Sequence, residues 1–147
     1  MKVIVQRVNS ANVKVNDQLI SDINHGLLLL VGLHKNDTLK DLEYVARKIS
    51  KLRIFSDDKG LMNLDISKVN GEVLSISQFT IYGSVKKQNR PGFSDAMPYE
   101  QAHEMYDTFN RLLVEQGLRV KEGLFGEDMK VSLVNNGPVT IIVDTEE

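Results

Sequence analysis

Ser77-Gln78-Phe79-Thr80 brings two hydroxyls, a carboxamide and several backbone N–H groups together where an apolar stretch runs into Tyr82-Gly83. Residues of these types support two kinds of catalysis. In the first, Ser77 or Thr80 is a nucleophile, and a base must take its proton. No histidine or carboxylate lies within several residues of Thr80, so His25, His34 or His103 would have to approach through the fold. Nothing around Ser77 has the form of a nucleophile elbow. In the second, the N–H groups of Phe79 and Thr80 stabilise an oxyanion, which asks only for geometry. The same residues also suit ordinary polar positions in a strand.

A second segment, Asn135-Asn136-Gly137-Pro138-Val139-Thr140, interrupts an apolar run over residues 129–143 that otherwise reads as strand. Proline removes a ladder donor, so the chain must break or bulge there. Glycine before proline accepts backbone angles that a side chain forbids. Either a hairpin turn joins two strands at this point, or a fixed turn aims bare carbonyls into a cleft. Phe125 and Met129 flank Gly126-Glu127-Asp128 and can sandwich a flat ring or simply fill a core. Lys86-Lys87-Gln88-Asn89-Arg90 is the best local basic cluster. Asp57, Asp58 and Asp65 lack the ligand pattern of a calcium loop and read as solvated turn residues.

Composition narrows the chemistry further. The 147 residues include no cysteine, which excludes disulfides, thiolate metal sites and cysteine nucleophiles. The three histidines have no metal-ligand spacing, so neither a metal nor a cofactor is expected. A net charge of -2 gives no global attraction to nucleic acid or anionic membrane, and any RNA contact needs a local basic patch. No apolar stretch is long enough to span a bilayer, and Lys2-Val3-Ile4-Val5-Gln6-Arg7-Val8 has no signal-peptide layout. A soluble cytoplasmic protein is expected, with neither membrane nor DNA as a partner.

The elements that would position these residues follow from periodicity. Val3, Val5 and Val8 open a strand, Asn16-Asp17 makes a turn, and residues 18–23 return as a hairpin arm. The apolar run 27–33 predicts a strand covered on both faces. Leu39, Leu42, Val45, Ala46, Ile49 and Leu52 form the stripe of a helix over 38–52, with Asp37 or Thr38 as its cap. Residues 53–55 read as a short strand, 57–60 as a turn, Asn70-Gly71 as a hairpin signal and 72–79 as a strand. Residues 84–98 form a polar loop long enough to suggest binding. A second helix over 99–116 buries Ala102, Met105, Tyr106, Phe109, Leu112 and Leu113, and Gly117 ends it. Strands near 119–124, 129–134 and 139–143 complete a single α+β domain over 1–147. Its sheet is expected to be largely antiparallel and barrel-like, with two main helices packed outside.

Gln6-Arg7-Val8, Arg53-Ile54-Phe55-Ser56-Asp57 with Met62-Asn63-Leu64, Ser77-Gln78-Phe79-Thr80, Arg90-Pro91-Gly92-Phe93-Ser94 and Asn135-Asn136-Gly137-Pro138-Val139-Thr140 occur together in this order. The combination closely resembles the D-aminoacyl-tRNA deacylases, the proofreading enzymes also called D-tyrosyl-tRNA deacylases, over practically the whole chain. Gly92 departs from the serine expected in that family's loop motif, which touches local loop geometry alone.

The resemblance implies a homodimeric esterase that cleaves the bond between a D-amino acid and the terminal adenosine of tRNA. Removal of glycine mischarged on tRNA-Ala is implied as well. It implies a cis Gly137-Pro138 bond whose carbonyls enter the partner subunit's pocket, hold the substrate amino group and leave no room for an L side chain. Ser77, Gln78, Phe79 and Thr80 would line the reacting ester, Phe125 and Met129 would hold the adenine, and Arg7 would help fix the Gly-Pro turn. Lys86, Lys87 and Arg90 are the candidate tRNA contacts. Two mechanisms stay open: covalent catalysis by Thr80, or main-chain oxyanion stabilisation assisted by the terminal 2′-hydroxyl, which the missing base favours. A non-catalytic RNA-binding module built on Lys86, Lys87 and Arg90 is the alternative of a different class, although it lacks interleaved aromatics.

Overall fold

The computed structural model describes all 147 residues. The first strand, β1 (Lys2–Val15), shows how the sheet bends. Its buried side chains are Val3 and Val5, then Val8, then Ala11, Val13 and Val15, so the inward phase slips twice. The slips coincide with irregularities in its pairing to the last strand, β8 (Lys130–Asp144), between Gln6 and Val8 and between Val8 and Ser10. Bulges of this kind re-aim a strand. Val3 and Val5 accordingly belong to one core, while Val8, Ala11 and Val13 belong to another.

The remaining strands are β2 (Gln18–Ile23), β3 (Gly26–Gly32), β4 (Phe55–Ser56), β5 (Met62–Leu64), β6 (Glu72–Ser77) and β7 (Arg119–Glu122). The main sheet runs β2-β1-β3-β6-β7, with β8 on the free side of β1. Its antiparallel pairs are β1 with β2, β3 and β8. The pairs β3·β6 and β6·β7 are parallel. Parallel neighbours need long crossovers, and the two helices supply them. Helix α1 (Leu39–Lys51) lies in the connection from β3 to β6, and α2 (Tyr99–Glu115) in that from β6 to β7.

Two cores result. Between sheet and helices, Val3, Val5, Leu27, Leu29 and Val31 meet Leu42, Val45, Ile49, Phe109 and Leu113. Inside the curled sheet, Val8, Val13, Leu28, Leu74 and Ile76 pack with Met129, Val131 and Leu133. The run 27–31 serves both cores, as a strand covered on both faces should. The curl is nearly closed into a barrel. At its seam, Ser21 Oγ donates to the Glu122 carbonyl (2.7 Å) and Lys121 Nζ to the Asp22 carbonyl (2.7 Å).

Both helices follow their stripes. Thr38 and Asp41 form a reciprocal cap at α1, with the Thr38 N–H donating to Asp41 Oδ2 at 2.8 Å. Two turn readings need correction. Asn70-Gly71 makes no hairpin: Asn70, at φ 53, caps a 3₁₀ turn over Ile66–Val69 and leads into β6, whose partners are β3 and β7. Asn-Gly favours the left-handed conformation wherever it occurs, and here that conformation ends a helical turn instead of joining paired strands. Nor does a hairpin form at Gly137-Pro138, because β8 continues through it as one bulged strand. The strand read over 72–79 stops at Ser77, where the chain winds into a second 3₁₀ turn, Phe79–Tyr82.

Candidate active site

The site begins where β6 leaves the sheet. The Gln78 N–H donates to the Val31 carbonyl (2.8 Å), the last main-chain bond to β3. Then Ile81 N–H donates to Gln78 (3.3 Å) and Gly83 N–H to Thr80 (2.9 Å). Phe79 and Thr80 open this turn, so their N–H groups have no acceptor inside it. Beneath, Tyr106 Oη donates to the Ser75 carbonyl (2.7 Å) and pins the end of β6 to α2, and burial raises the Tyr106 hydroxyl pKa.

Beside the turn is a cavity of about 450 Å³ with largely apolar walls. Ser77, Gln78 and Phe79 line it, as do Phe125 and Met129 from the segment between β7 and β8. It sits at the carboxyl end of parallel strands, the usual place for a ligand in such sheets. Tyr99 and Tyr106 also line it. The sequence reading placed Tyr106 only in the helix core; the separation of seven residues, which returns a helical residue to the same face, was the signal for this pair.

Thr80 lies outside the cavity lining, and its hydroxyl accepts a bond from the Gln78 carboxamide. The histidines are engaged elsewhere. His25 Nε2 meets the Val69 carbonyl (2.6 Å), His34 Nδ1 accepts from the Asn36 N–H (3.1 Å), and His103 lies flat on Phe125. No histidine or carboxylate side chain is bonded to Ser77 or Thr80. No three His, Asp or Glu side chains gather as metal ligands.

The Gly-Pro motif forms a bulge elsewhere on the chain. Between the pairs Gln6↔Thr140 and Val8↔Asn135, residues 136–139 of β8 lie opposite Arg7 alone. Arg7 Nε donates to the Asn136 carbonyl (2.9 Å) and Nη1 to the Ile54 carbonyl (2.7 Å). Asn135 spans the bulge from within: its Oδ1 accepts from the Val139 N–H (2.8 Å), and its Nδ2 donates to Thr140 Oγ1 (2.9 Å). Gly137, at φ +136, is cis to Pro138, and a Cβ there would come within 3.0 Å of Arg7 Nη2. Gly137 and Pro138 are exposed and line no part of the cavity.

The Ile54 carbonyl is itself braced. Arg53 Nε donates to the Asn63 carbonyl (2.9 Å), and its guanidinium also meets the Asn63 side chain. Asn63 Nδ2 in turn donates to Asp57 Oδ2 (3.2 Å). Hydrogen bonds, the Leu61 N–H first among them, hold the Asp57 carboxyl below the usual carboxylate range. The loop after the 3₁₀ turn is closed by mutual bonds between Ser84 and Gly92 (2.8 and 3.0 Å). Lys86, Lys87 and Arg90 stand exposed on its tip, and none is paired with a carboxylate. At its base Phe79 and Phe93 meet edge to face at 5.1 Å, both exposed, an aromatic pair that the sequence reading did not anticipate beside these cations.

The chain belongs to the D-Tyr-tRNA(Tyr) deacylase family, whose model matches residues 4–144. This is a family of hydrolases acting on the ester bond of aminoacyl-tRNA. Among solved structures, a c-Myc DNA unwinding element binding protein is 41% identical, covers 99% of each chain and superposes with a TM-score of 0.93. A probable eukaryotic D-amino acid tRNA deacylase shares the fold at 16% identity, with 97% of each chain covered and a TM-score of 0.83.

The bulge is the testable joint of this arrangement. Charge-assisted hydrogen bonds contribute roughly 1.5–3 kcal/mol each, less where water can replace the donor, as at exposed Asn136. Arg7→Ala should lower Tm by roughly 4–8 °C. Arg7→Lys should recover only part of this, since one ammonium cannot reproduce the fork. Asn135→Ala should raise the hydrogen-exchange rate of the Val139 amide by roughly five- to tenfold. An unchanged Val139 rate would show that the carboxamide does not hold the bulge.

Proposed function

We propose that the chain hydrolyses D-aminoacyl-tRNA, and glycine mischarged on tRNA-Ala, as a homodimer whose sites form between the subunits. The observation that carries this reading is the pairing of a main-chain donor turn with a largely apolar cavity in which no side-chain base is bonded to Ser77 or Thr80; the two carboxylates of its lining, Glu127 and Asp128, are exposed. The terminal adenine stacks between Phe125 and Met129, which places the ester beside Ser77-Gln78-Phe79-Thr80. Water attacks the ester carbonyl carbon. The carbonyl oxygen, negative in the tetrahedral intermediate, takes hydrogen bonds from the Phe79 and Thr80 N–H groups. The bond to the ribose 3′-oxygen breaks, that oxygen gains the proton lost by the water, and free amino acid and tRNA leave. The 2′-hydroxyl next to the ester relays the proton, so the RNA supplies a group that no side chain bonded to Ser77 or Thr80 provides.

Selection falls to the partner's bulge. The Gly137 and Pro138 carbonyls receive the substrate amino group and fill the space an L side chain would need. A D side chain points away, and glycine has none. Hydrolysis of D- and L-tyrosyl-tRNA tests the function directly: the D ester should be cleaved and the L ester spared. Thr80→Ala should stay within roughly threefold of wild type, while tRNA ending in 2′-deoxyadenosine should react roughly a hundredfold or more slowly. Equal rates on D and L esters would remove the function, and a trapped Thr80 ester would replace the mechanism with a covalent one. Binding of charged tRNA with no hydrolysis would leave the RNA-binding module.

The dimer is supported by what the bulge leaves uncovered. Val134 and Ile142 of β8 are 53% and 56% exposed on either side of it. A self-complementary patch would bury them and set each bulge against the other cavity. Light scattering should give about twice 16.6 kDa at micromolar concentration. A fully active monomer would contradict the shared site.

The loop tip supplies the attraction that the net charge does not. Neutralising Lys86, Lys87 and Arg90 together should lower the slope of log affinity for tRNA against log salt by about 2–3. Duplex DNA makes an apt comparison, because the 41% identical protein carries a DNA-binding name. An unchanged slope for tRNA would move the RNA to another face.

A further inference from the structure

Phe125 is enclosed by aromatic side chains of one helix. His103 lies face to face on it, with ring centroids 4.5 Å apart and planes within 3°. Tyr99 meets it edge-on at 5.2 Å, and Tyr106 is tilted against it at 5.7 Å. All three come from one face of α2. Phe125, Tyr99 and Tyr106 line the cavity and His103 does not, so the imidazole covers the ring from outside.

Phe125 needs such backing because of where it sits. It belongs to a turn closed by the Glu127 N–H donating to the Leu124 carbonyl at 3.3 Å, between the end of β7 and the start of β8. Gly126 follows it at φ +80, and a Cβ there would lie 2.3 Å from Tyr99 Oη. The helix thus touches this turn at the ring and at the glycine. A phenyl ring on a short turn can swing, and an aromatic wall selects a flat ligand only if its plane is fixed beforehand. His103 makes no polar contact with the cavity; its neighbours are Asp107 Oδ2 (3.7 Å) and the edge of Tyr99 (6.4 Å).

We propose that His103 is a positioning residue: by stacking on the outer face of Phe125 it fixes the wall against which the terminal purine of the RNA lies. This rests on the reading that Phe125 stacks the adenine, and it adds a residue that never touches substrate. The contribution is to binding, so it should fall on KM and leave kcat alone.

The experiment compares wild type, His103→Ala and His103→Phe. It measures kcat and KM on D-tyrosyl-tRNA, calorimetric affinities for adenosine and uridine 5′-monophosphates, and Tm. His103→Ala should raise KM and weaken adenosine monophosphate binding, each by roughly three- to tenfold, with kcat within about twofold and Tm nearly unchanged. His103→Phe, which keeps a stacking ring and loses the polar ring nitrogens, should restore both. Unchanged KM and nucleotide affinity in His103→Ala would overturn the proposal. So would equal impairment of the two variants, a fall in kcat at constant KM, or a wild type that binds adenosine monophosphate no better than uridine monophosphate. If wild type leaves D-tyrosyl-tRNA intact, the deacylase reading fails, and the nucleotide affinities of the three proteins still decide the role of His103.

Discussion

The guanidinium of Arg7 donates to two carbonyls lying 47 and 129 residues further along the chain. It does so from β1, the strand that pairs with β2, β3 and β8. Through Ile54 it reaches the bracing of Arg53, Asn63 and Asp57, and through Asn136 it reaches the bulge. Three motifs that look unrelated along the chain are therefore one mechanical unit. Arginine suits this position because its planar fork presents several donors in fixed directions, so two carbonyls can be held at a set separation. A bulge exposes main-chain groups by construction, and without such a strut it would be a mobile loop and not a shaped surface.

The position of the bulge follows from the two cores. On β8, Val131 and Leu133 face the inside of the curled sheet, whereas Val139, Ile141 and Val143 pack with the helix-side core. The strand must change the face it buries, and β1 does the same between Val5 and Val8. Residues 136–139 absorb that change in β8, where Pro138 has no N–H to give a ladder and Gly137 adopts an angle closed to other residues. What reads as a site motif is also the hinge by which one strand serves two cores.

This explains what was legible in the chain and what was not. The helices were, since Leu42, Val45, Ala46 and Ile49 recur at the helical period and Thr38 and Asp41 mark a cap. So was β3, whose unbroken apolar run can only be a strand covered twice. The parallel pairing of β3 with β6, and of β6 with β7, was not, because it depends on helices packing across the sheet and leaves no local mark. Asn70-Gly71 shows the limit: its left-handed turn was readable, and the absence of a paired strand was not. Ser77, Gln78, Phe79, Phe125 and Met129 meet around one cavity, whereas Thr80, Gly137 and Pro138 stand outside its lining. The Asn135 bridge, the Phe79–Phe93 pair and the stack of His103 on Phe125 arise between segments whose approach no single window of sequence contains.

The lack of a side-chain base bonded to Ser77 or Thr80 fits the task proposed for the site. The D and L esters of one amino acid have the same carbonyl and the same leaving group, so no acid, base or nucleophile can distinguish them by reactivity. Discrimination must come from where the side chain is allowed to lie. Steric exclusion is steep in distance: an obstacle that yields by a fraction of an ångström admits what it should reject. Backbone carbonyls are better obstacles than side chains, which can change rotamer. Their rigidity then becomes the quantity that selection depends on. The bulge is clamped at Asn136 by Arg7 and across Asn135, Val139 and Thr140 by one carboxamide, while in the proposed mechanism the donor turn at Phe79 and Thr80 stabilises the intermediate of whichever ester is admitted. On this proposal chemistry and choice fall to separate stretches of main chain, each held by side chains that need never contact the reacting atoms.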